Sequence, residues 1–289
     1  MTAVWNRVTI IGCGLIGASF ALGLRRSGAC AQIAGWDSAG SAIDEAVRTG
    51  VIDEVDQAFA SDGVSSSDLI YLAMPVGEII EFLRKGGQQV GPGAVISDAG
   101  STKVEICQAA RLNLSEAQQF VGGHPVAGSH LRGLAHARAD LFAGAPYVLI
   151  TDGDPDQDHA HTRLKETLEM LGACVTCMTA VEHDRVMALI SHLPQIVSSA
   201  LAAVTRDQPD ADALVTLSGT GYRDMTWLAA SSWSMWGDIL ATNSRETGSA
   251  IDALIEKLAA VRDELRHNSE RVDGELTITR GLFGESGPA

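Results

Sequence analysis

The chain has 289 residues, 46% of them hydrophobic and 20% charged, and a formal net charge of −15. Those proportions describe a globular protein of one large or two ordinary domains, able to bury a core without disulfide staples. So acidic a chain offers no basic patch for nucleic acid or an anionic membrane surface, and no run of about 18 apolar residues is free of charge, so neither a nucleic-acid nor a membrane partner is expected.

Residues 7–17 read Arg-Val-Thr-Ile-Ile-Gly-Cys-Gly-Leu-Ile-Gly, an apolar strand running into Gly12, Gly14 and Gly17. Gly12 permits a tight turn and Gly14 a close approach of the backbone to a pyrophosphate. Gly17 lets the next helix, opening at Leu15 and Ile16, pack on the strand with its N–H groups toward the phosphates. Asp37 closes a second apolar stretch twenty residues after Gly17. A carboxylate there accepts from a ribose diol and repels a 2′-phosphate, which favours NAD over NADP.

Further strand-like runs at 69–73, 94–97, 119–122 and 146–151 alternate with helical stretches, the pattern of a mostly parallel, helix-covered sheet whose ligands sit at the carboxyl ends of its strands. The loops at those ends carry Met74, Pro75 and Val76, which are candidates for cofactor binding, then Asp98–Lys103, then Gly123-His124-Pro125 as the link beyond the next strand. An acidic turn at 152–158 precedes a helix with Ala160, Leu164, Leu168 and Leu171 on one face, and a last strand lies near 173–178. Beyond it the pattern is wholly helical. Thr179 and Glu182 have capping-box spacing, and the helix they start, running toward 204, should kink at Pro194. A final helix over about 246–267 carries the stripe Ile251, Leu254, Ile255, Leu258, Val261 and Leu265, part of which reads as a subunit interface. The expected organisation is α/β: a doubly wound domain over 1–178, an all-α substrate and dimerisation domain over 179–268, and a flexible tail over 269–289. The five cysteines are scattered, and Cys174-x-x-Cys177 has no second Cys/His pair at ligand spacing, so reduced thiols in a cytoplasmic protein, with no metal, are expected.

Polar residues near the nucleotide turn suggest the chemistry. Ser101 and His124 fall on loops at the ligand edge of the sheet, where a histidine beside Pro125 can act as a general base and Ser101 can orient the same substrate oxygen. Ser129 follows on the same loop. Ser191 and His192 precede Pro194, and His192, Gln195 and Ser199 form a polar stripe on an otherwise apolar helix, as in a pocket wall. Two plainer roles stay open: His124 capping a neighbouring backbone, and His192 satisfying carbonyls freed by the kink. His130, His136, His159, His161, His183 and His267 read as solvated or structural, and Trp227, Trp233 and Trp236 as packing residues.

Taken in order, Gly12-Cys-Gly-Leu-Ile-Gly17, Asp98-Ala-Gly-Ser-Thr-Lys103, Gly123-His-Pro-Val-Ala-Gly128, Asp140-Leu-Phe, Ser191-His-Leu-Pro194 and Met235-Trp-Gly-Asp-Ile239 followed by Asn243 resemble the prephenate dehydrogenases, a family that includes arogenate and cyclohexadienyl dehydrogenases. The resemblance covers residues 7–268. It implies a Rossmann domain, a helical domain that forms a homodimer, an active site in the cleft between the two, and NAD-dependent oxidative decarboxylation of prephenate to 4-hydroxyphenylpyruvate in tyrosine biosynthesis. It puts His124 on the substrate's 4-hydroxyl with Ser101 beside it. Loss of hydride from C4 and breakage of the C1–carboxylate bond reinforce one another, because together they make the ring aromatic.

The chain departs from the family pattern at four places. Val126 stands for Met, His130 for Glu, and Gln195 for a second His. Trp227 stands where an Arg usually pairs with a substrate carboxylate, and Trp cannot replace that charged fork. Arg132, Arg223 and Arg245 are the candidate substitutes. Arogenate or 4-amino-4-deoxyprephenate as substrate, or an NAD-binding homologue with weakened catalysis, are the alternatives. A β-hydroxyacid dehydrogenase would need a catalytic Lys on the 180–204 helix, which has none.

Overall fold

The computed structural model describes residues 3–61, 63–85, 87–127, 133–151 and 159–267. The strands are β1 (Trp5–Ile11), β2 (Cys30–Trp36), β3 (Glu54–Val55), β4 (Leu69–Leu72), β5 (Val95–Asp98), β6 (Gln119–Val121), β7 (Gly123–Pro125), β8 (Pro146–Ile150) and β9 (Cys174–Met178). The helices are α1 (Leu15–Ser27), α2 (Gly40–Arg48), α3 (Gln57–Ala60), α4 (Val76–Arg84), α5 (Val104–Asn113), α6 (His159–Met170), α7 (Ala180–Met187), α8 (Leu193–Arg206), α9 (Ala211–Thr216), α10 (Thr220–Thr226), α11 (Trp233–Thr242) and α12 (Ser244–His267). The acidic turn 152–158 and the tail 269–289 lie outside the described residues.

β1 to β6 form a parallel sheet in the order β3-β2-β1-β4-β5-β6, the doubly wound dinucleotide-binding order. Its strands are apolar almost throughout because both faces are covered, and alternate residues go to opposite cores. Val8, Ile10, Leu69, Tyr71 and Val95 pack with Phe20 and Leu24 of α1 and Leu164 and Leu168 of α6. Ile11, Ile70, Leu72 and Ile96 pack with Ile79 and Leu83 of α4 and Ile106 of α5. The face read for α6 is this buried one, and none of the five cysteines is in a disulfide.

The expectation of one sheet needs correcting. β7, β8 and β9 make a second, three-stranded sheet, with β7 antiparallel to β8 and β8 parallel to β9. Gly123-His124-Pro125 is therefore a strand, not a loop, and His124 pairs with Val148. The chain turns out of the first sheet at Gly122-Gly123 because only glycine fits there: a Cβ on Gly123 would lie 2.7 Å from the Asp98 carbonyl oxygen.

Contacts divide the chain into one unit of Met1–Met187 with Ala230–Asn243 and another of Ala188–Ala229 with Ser244–Ala289. This division differs from a cut at 178/179, because α7 and α11 pack with the sheets. Asp238 of α11 accepts from Gly77 N–H in the first turn of α4 (3.0 Å), Thr242 meets the Thr102 hydroxyl (2.8 Å), and Asn243 donates to the Asp184 carbonyl (2.7 Å).

The capping box at the start of α7 forms, Thr179 N–H donating to Glu182 and Glu182 N–H to Thr179 Oγ1. The helical run continues from Ala180 to Arg206 with a π turn at Ala188–His192 ahead of Pro194, whose missing N–H the wider turn accommodates. Among the described residues this run alone is long and apolar enough by composition to cross a membrane, where no such span was expected. Its first turns bury His183 and Asp184, the latter bonded to Lys103 N–H. In the second unit, Leu189, Ile190, Val204, Leu217, Ile255 and Leu258 of the helical segments are exposed.

One buried ion pair ties the ligand edge together. Asp98 ends β5 and Lys103 ends the loop after it, and both are wholly buried and hydrogen-bonded to each other. Lys103 Nζ also donates to the Gly123 carbonyl (2.6 Å), and the Asp98 carboxylate accepts from Gly100 N–H (2.8 Å) and Gly123 N–H (3.1 Å). Removing one partner leaves a buried charge uncompensated. Lys103→Met should therefore destabilise the protein by about 3–5 kcal/mol and lower Tm by roughly 10 °C, measured by denaturant and thermal unfolding. A loss below about 1 kcal/mol would contradict this role.

Candidate functional site

The glycine turn has the geometry its spacing predicts. Gly12 has φ +94°, and a Cβ there would lie 2.5 Å from the Ala73 carbonyl oxygen; one on Gly17 would lie 2.0 Å from the Gly12 oxygen. Gly14, by contrast, would place a Cβ in open space, with nothing within 4 Å. Gly14 is also the N-cap of α1 and gives it no side-chain cap, so the first N–H groups of that helix are offered to a ligand. An open cradle over an uncapped helix N-terminus fits a pyrophosphate.

Asp37 stands just past β2. Its Oδ2 accepts from Cys13 N–H and its Oδ1 from Ala39 N–H, both at 2.8 Å. Those bonds aim the carboxylate, and its remaining lone pairs suit a ribose diol. Burial, and then Asp37, push the Cys13 thiol up to about 12, so no thiolate competes for the anion site. Leu15 and Ile16 are half-buried at the start of α1. Met74 lies against the turn, its Cγ 3.3 Å from where a Gly12 Cβ would sit. Pro75 caps α4, and Val76 buries its side chain in the core, leaving only its backbone for a cofactor.

His124 is buried at the middle of β7, beside the Asp98–Lys103 pair. Its Nδ1 lies 2.8 Å from His183 Nε2, and His183 Nδ1 lies 2.7 Å from Asp184 Oδ1. Asp184 also caps α5, accepting from Lys103 N–H (2.7 Å) and Val104 N–H (2.9 Å). Ser101 is half-buried on the loop that Asp98 and Lys103 brace. Of the two roles read for His183, the solvated one is excluded, since it is fully buried and bonds His124. Sequence reasoning missed Asp184 too. The available signal was a His-Asp dipeptide just after a capping box, at the start of a helix. His136 and His159 are exposed, as read.

Ser191, His192, Gln195 and Arg223 belong to the second unit. His192 is buried with Nδ1 3.3 Å from Thr247 Oγ1. Gln195 is also buried, and its Nε2 donates to the Leu228 carbonyl (2.9 Å), tying α8 to the turn after α10. Ser191 is half-buried, while Arg223 is exposed with Nε 3.4 Å from Ser218 Oγ. Arg245 is exposed beside Glu246. Ser129, His130 and Arg132 lie outside the described residues. Trp227 and Trp233 are 58% and 73% exposed, contrary to the packing role read for them, whereas Trp236 packs against the second core.

Known proteins resemble this chain over nearly its whole length. The family model for the prephenate dehydrogenase nucleotide-binding domain matches residues 20–177, and that for the prephenate dehydrogenase dimerization domain matches 179–277. The chain is 34% identical over 277 residues to a prephenate dehydrogenase of Bacillus subtilis (strain 168), covering 95% of this chain and 73% of that one. The structure of prephenate dehydrogenase from A. aeolicus in complex with hydroxyphenyl propionate and NAD+ superposes with TM-score 0.85 at 30% identity, over 96% of each chain. Synechocystis arogenate dehydrogenase superposes with TM-score 0.79 at 28% identity, over 96% of this chain and 98% of that one.

The glycines separate binding from folding. Gly14→Ala fills only open space, so Tm should stay within about 2 °C while the Kd for NAD, measured by calorimetry, rises tenfold or more, about 1.4 kcal/mol. Unchanged NAD affinity in that variant would remove the cradle from the cofactor site.

Proposed function

The chain belongs to the prephenate dehydrogenase family, and from that premise we propose that it catalyses the NAD-dependent oxidative decarboxylation of prephenate to 4-hydroxyphenylpyruvate, with His124 taking the proton of the 4-hydroxyl. It is an NAD-dependent oxidoreductase. The observation that carries the reading is the pairing, in one unit, of an open glycine cradle with a buried histidine whose Nδ1 is already engaged. Asp37 favours NAD over NADP by repelling a 2′-phosphate.

When bound, NAD supplies the hydride acceptor. His124 accepts the hydroxyl proton as hydride leaves C4, and returns it to the phenol oxygen as CO2 departs from C1 and the ring becomes aromatic. A base of this kind contributes on the order of 10²–10⁴ in rate. Ser101, on the braced loop, orients the same oxygen. Ser129, Arg132, Ser191, His192, Gln195 and Arg223 are proposed for the rest of the substrate. Arg132, Arg223 or Arg245 takes the carboxylate that Trp227 cannot hold. The exposed apolar side chains of the second unit, within the region matched by the dimerization-domain model, are proposed to meet their counterparts in a cytoplasmic homodimer.

The arogenate reading is kept by Trp227 and by the likeness to an arogenate dehydrogenase. Assays of NADH formation with prephenate, arogenate and 4-amino-4-deoxyprephenate, each with NAD and with NADP, separate these readings, because a site built for one polar group strongly rejects its absence. Prephenate with NAD should give the highest kcat/KM, and sedimentation should give a dimer. His124→Asn should lower kcat by roughly 10²-fold or more with NAD affinity nearly unchanged. Near-normal turnover in that variant would remove His124 from the mechanism.

A further inference from the structure

We propose that His183 and Asp184 are positioning residues that hold His124 in one tautomer, with its proton on Nδ1, so that Nε2 is the nitrogen that receives the substrate proton. The proposal rests on the reading of His124 as the base.

The argument runs outward from the carboxylate. Among the described residues the Asp184 carboxylate bonds Lys103 N–H, Val104 N–H and the His183 ring. It sits at the N-terminus of α5, where the helix dipole favours negative charge. Asn243 fixes the same residue by donating to its main-chain carbonyl, and the Thr179–Glu182 box sets the start of the helix that carries it. A carboxylate so placed accepts from His183 Nδ1 rather than donating to it.

His183 is fully buried, and burial, with Lys103 nearby, lowers its pKa against the opposing pull of Asp184. It is therefore a neutral ring with a single N–H, and that N–H faces Asp184. Its Nε2 must then be a lone pair. Two ring nitrogens 2.8 Å apart need one hydrogen between them, which His124 Nδ1 supplies. What remains on His124 is the lone pair at Nε2. The carboxylate thus fixes the base through an intervening imidazole, one ring further out than in the serine-protease arrangement, where loss of the carboxylate leaves the wrong tautomer. After proton transfer, the His124 imidazolium still donates from Nδ1 to His183, so the order of hydrogen bonds survives both protonation states.

A purely structural role, capping α5, would leave the tautomer of His124 free. Nitrogen-15 NMR of the full-length protein labelled at histidine reads that tautomer without substrate, and the His124→Asn spectrum assigns the signals. The expected wild-type result is a protonated Nδ1 and an unprotonated Nε2 on His124. His183→Phe fills the same space with no hydrogen bond. It should move the His124 proton toward Nε2 and lower kcat by roughly 10²-fold, with KM for NAD within about twofold. His183→Gln, which can place an amide oxygen where Nε2 lies, should keep the Nδ1–H form and recover most of the turnover, so an unfolded Phe variant leaves the test intact. A wild-type His124 protonated on Nε2, or wild-type kcat in a folded His183→Phe, overturns the proposal. Because the spectrum needs no substrate, its failure is distinct from an absence of prephenate turnover.

Discussion

The ligand edge of this protein is organised around a charge that water cannot reach. Asp98 and Lys103 are buried together where β5, its following loop and β7 converge, and each also bonds nearby main chain. Desolvating two charges is costly, and such a pair is tolerated where additional hydrogen bonds support it. Here those additional bonds have a structural consequence. The Gly123 main chain is held through both its N–H and its C=O, so the backbone that presents His124 has little freedom to shift.

A second carboxylate extends the same logic. Asp184 holds the N-terminus of α5 with one side chain and, through His183, reaches His124. Two acids far apart in sequence therefore control one imidazole: Asp98 sets where its backbone lies, and Asp184 sets how its ring is bonded. α11 closes the arrangement, since Asp238, Thr242 and Asn243 all bond the starts of α4 and α5 or the residue that caps them. This accounts for the Trp-Gly-Asp-Ile…Asn segment lying late in the chain yet packing with the sheets.

The parts of this architecture written in local pattern were legible in the sequence. The glycine spacing, Asp37 at the end of β2, the capping box at Thr179 and the buried face of α6 each depend on residues close together, and each is found as read. β3 has two residues and β7 three, too few to show a period of two, so neither was visible. His183 and His124 are 59 residues apart, and nothing local links them. The same holds for Asp184, which bonds residues 80 and 81 positions earlier. Trp227 and Trp233 read as core because they are large and aromatic, but burial depends on what faces a side chain, and in this chain both are largely exposed.

The central claim is spatial: the Nε2 side of His124 meets the substrate oxygen whose proton it takes. A crystal structure of the protein with NAD and 4-hydroxyphenylpyruvate tests it directly. The account predicts His124 Nε2 within about 2.6–3.2 Å of the phenol oxygen, with Nδ1 still on His183. A phenol oxygen bonded elsewhere, with the imidazole turned from the ligand, would contradict it.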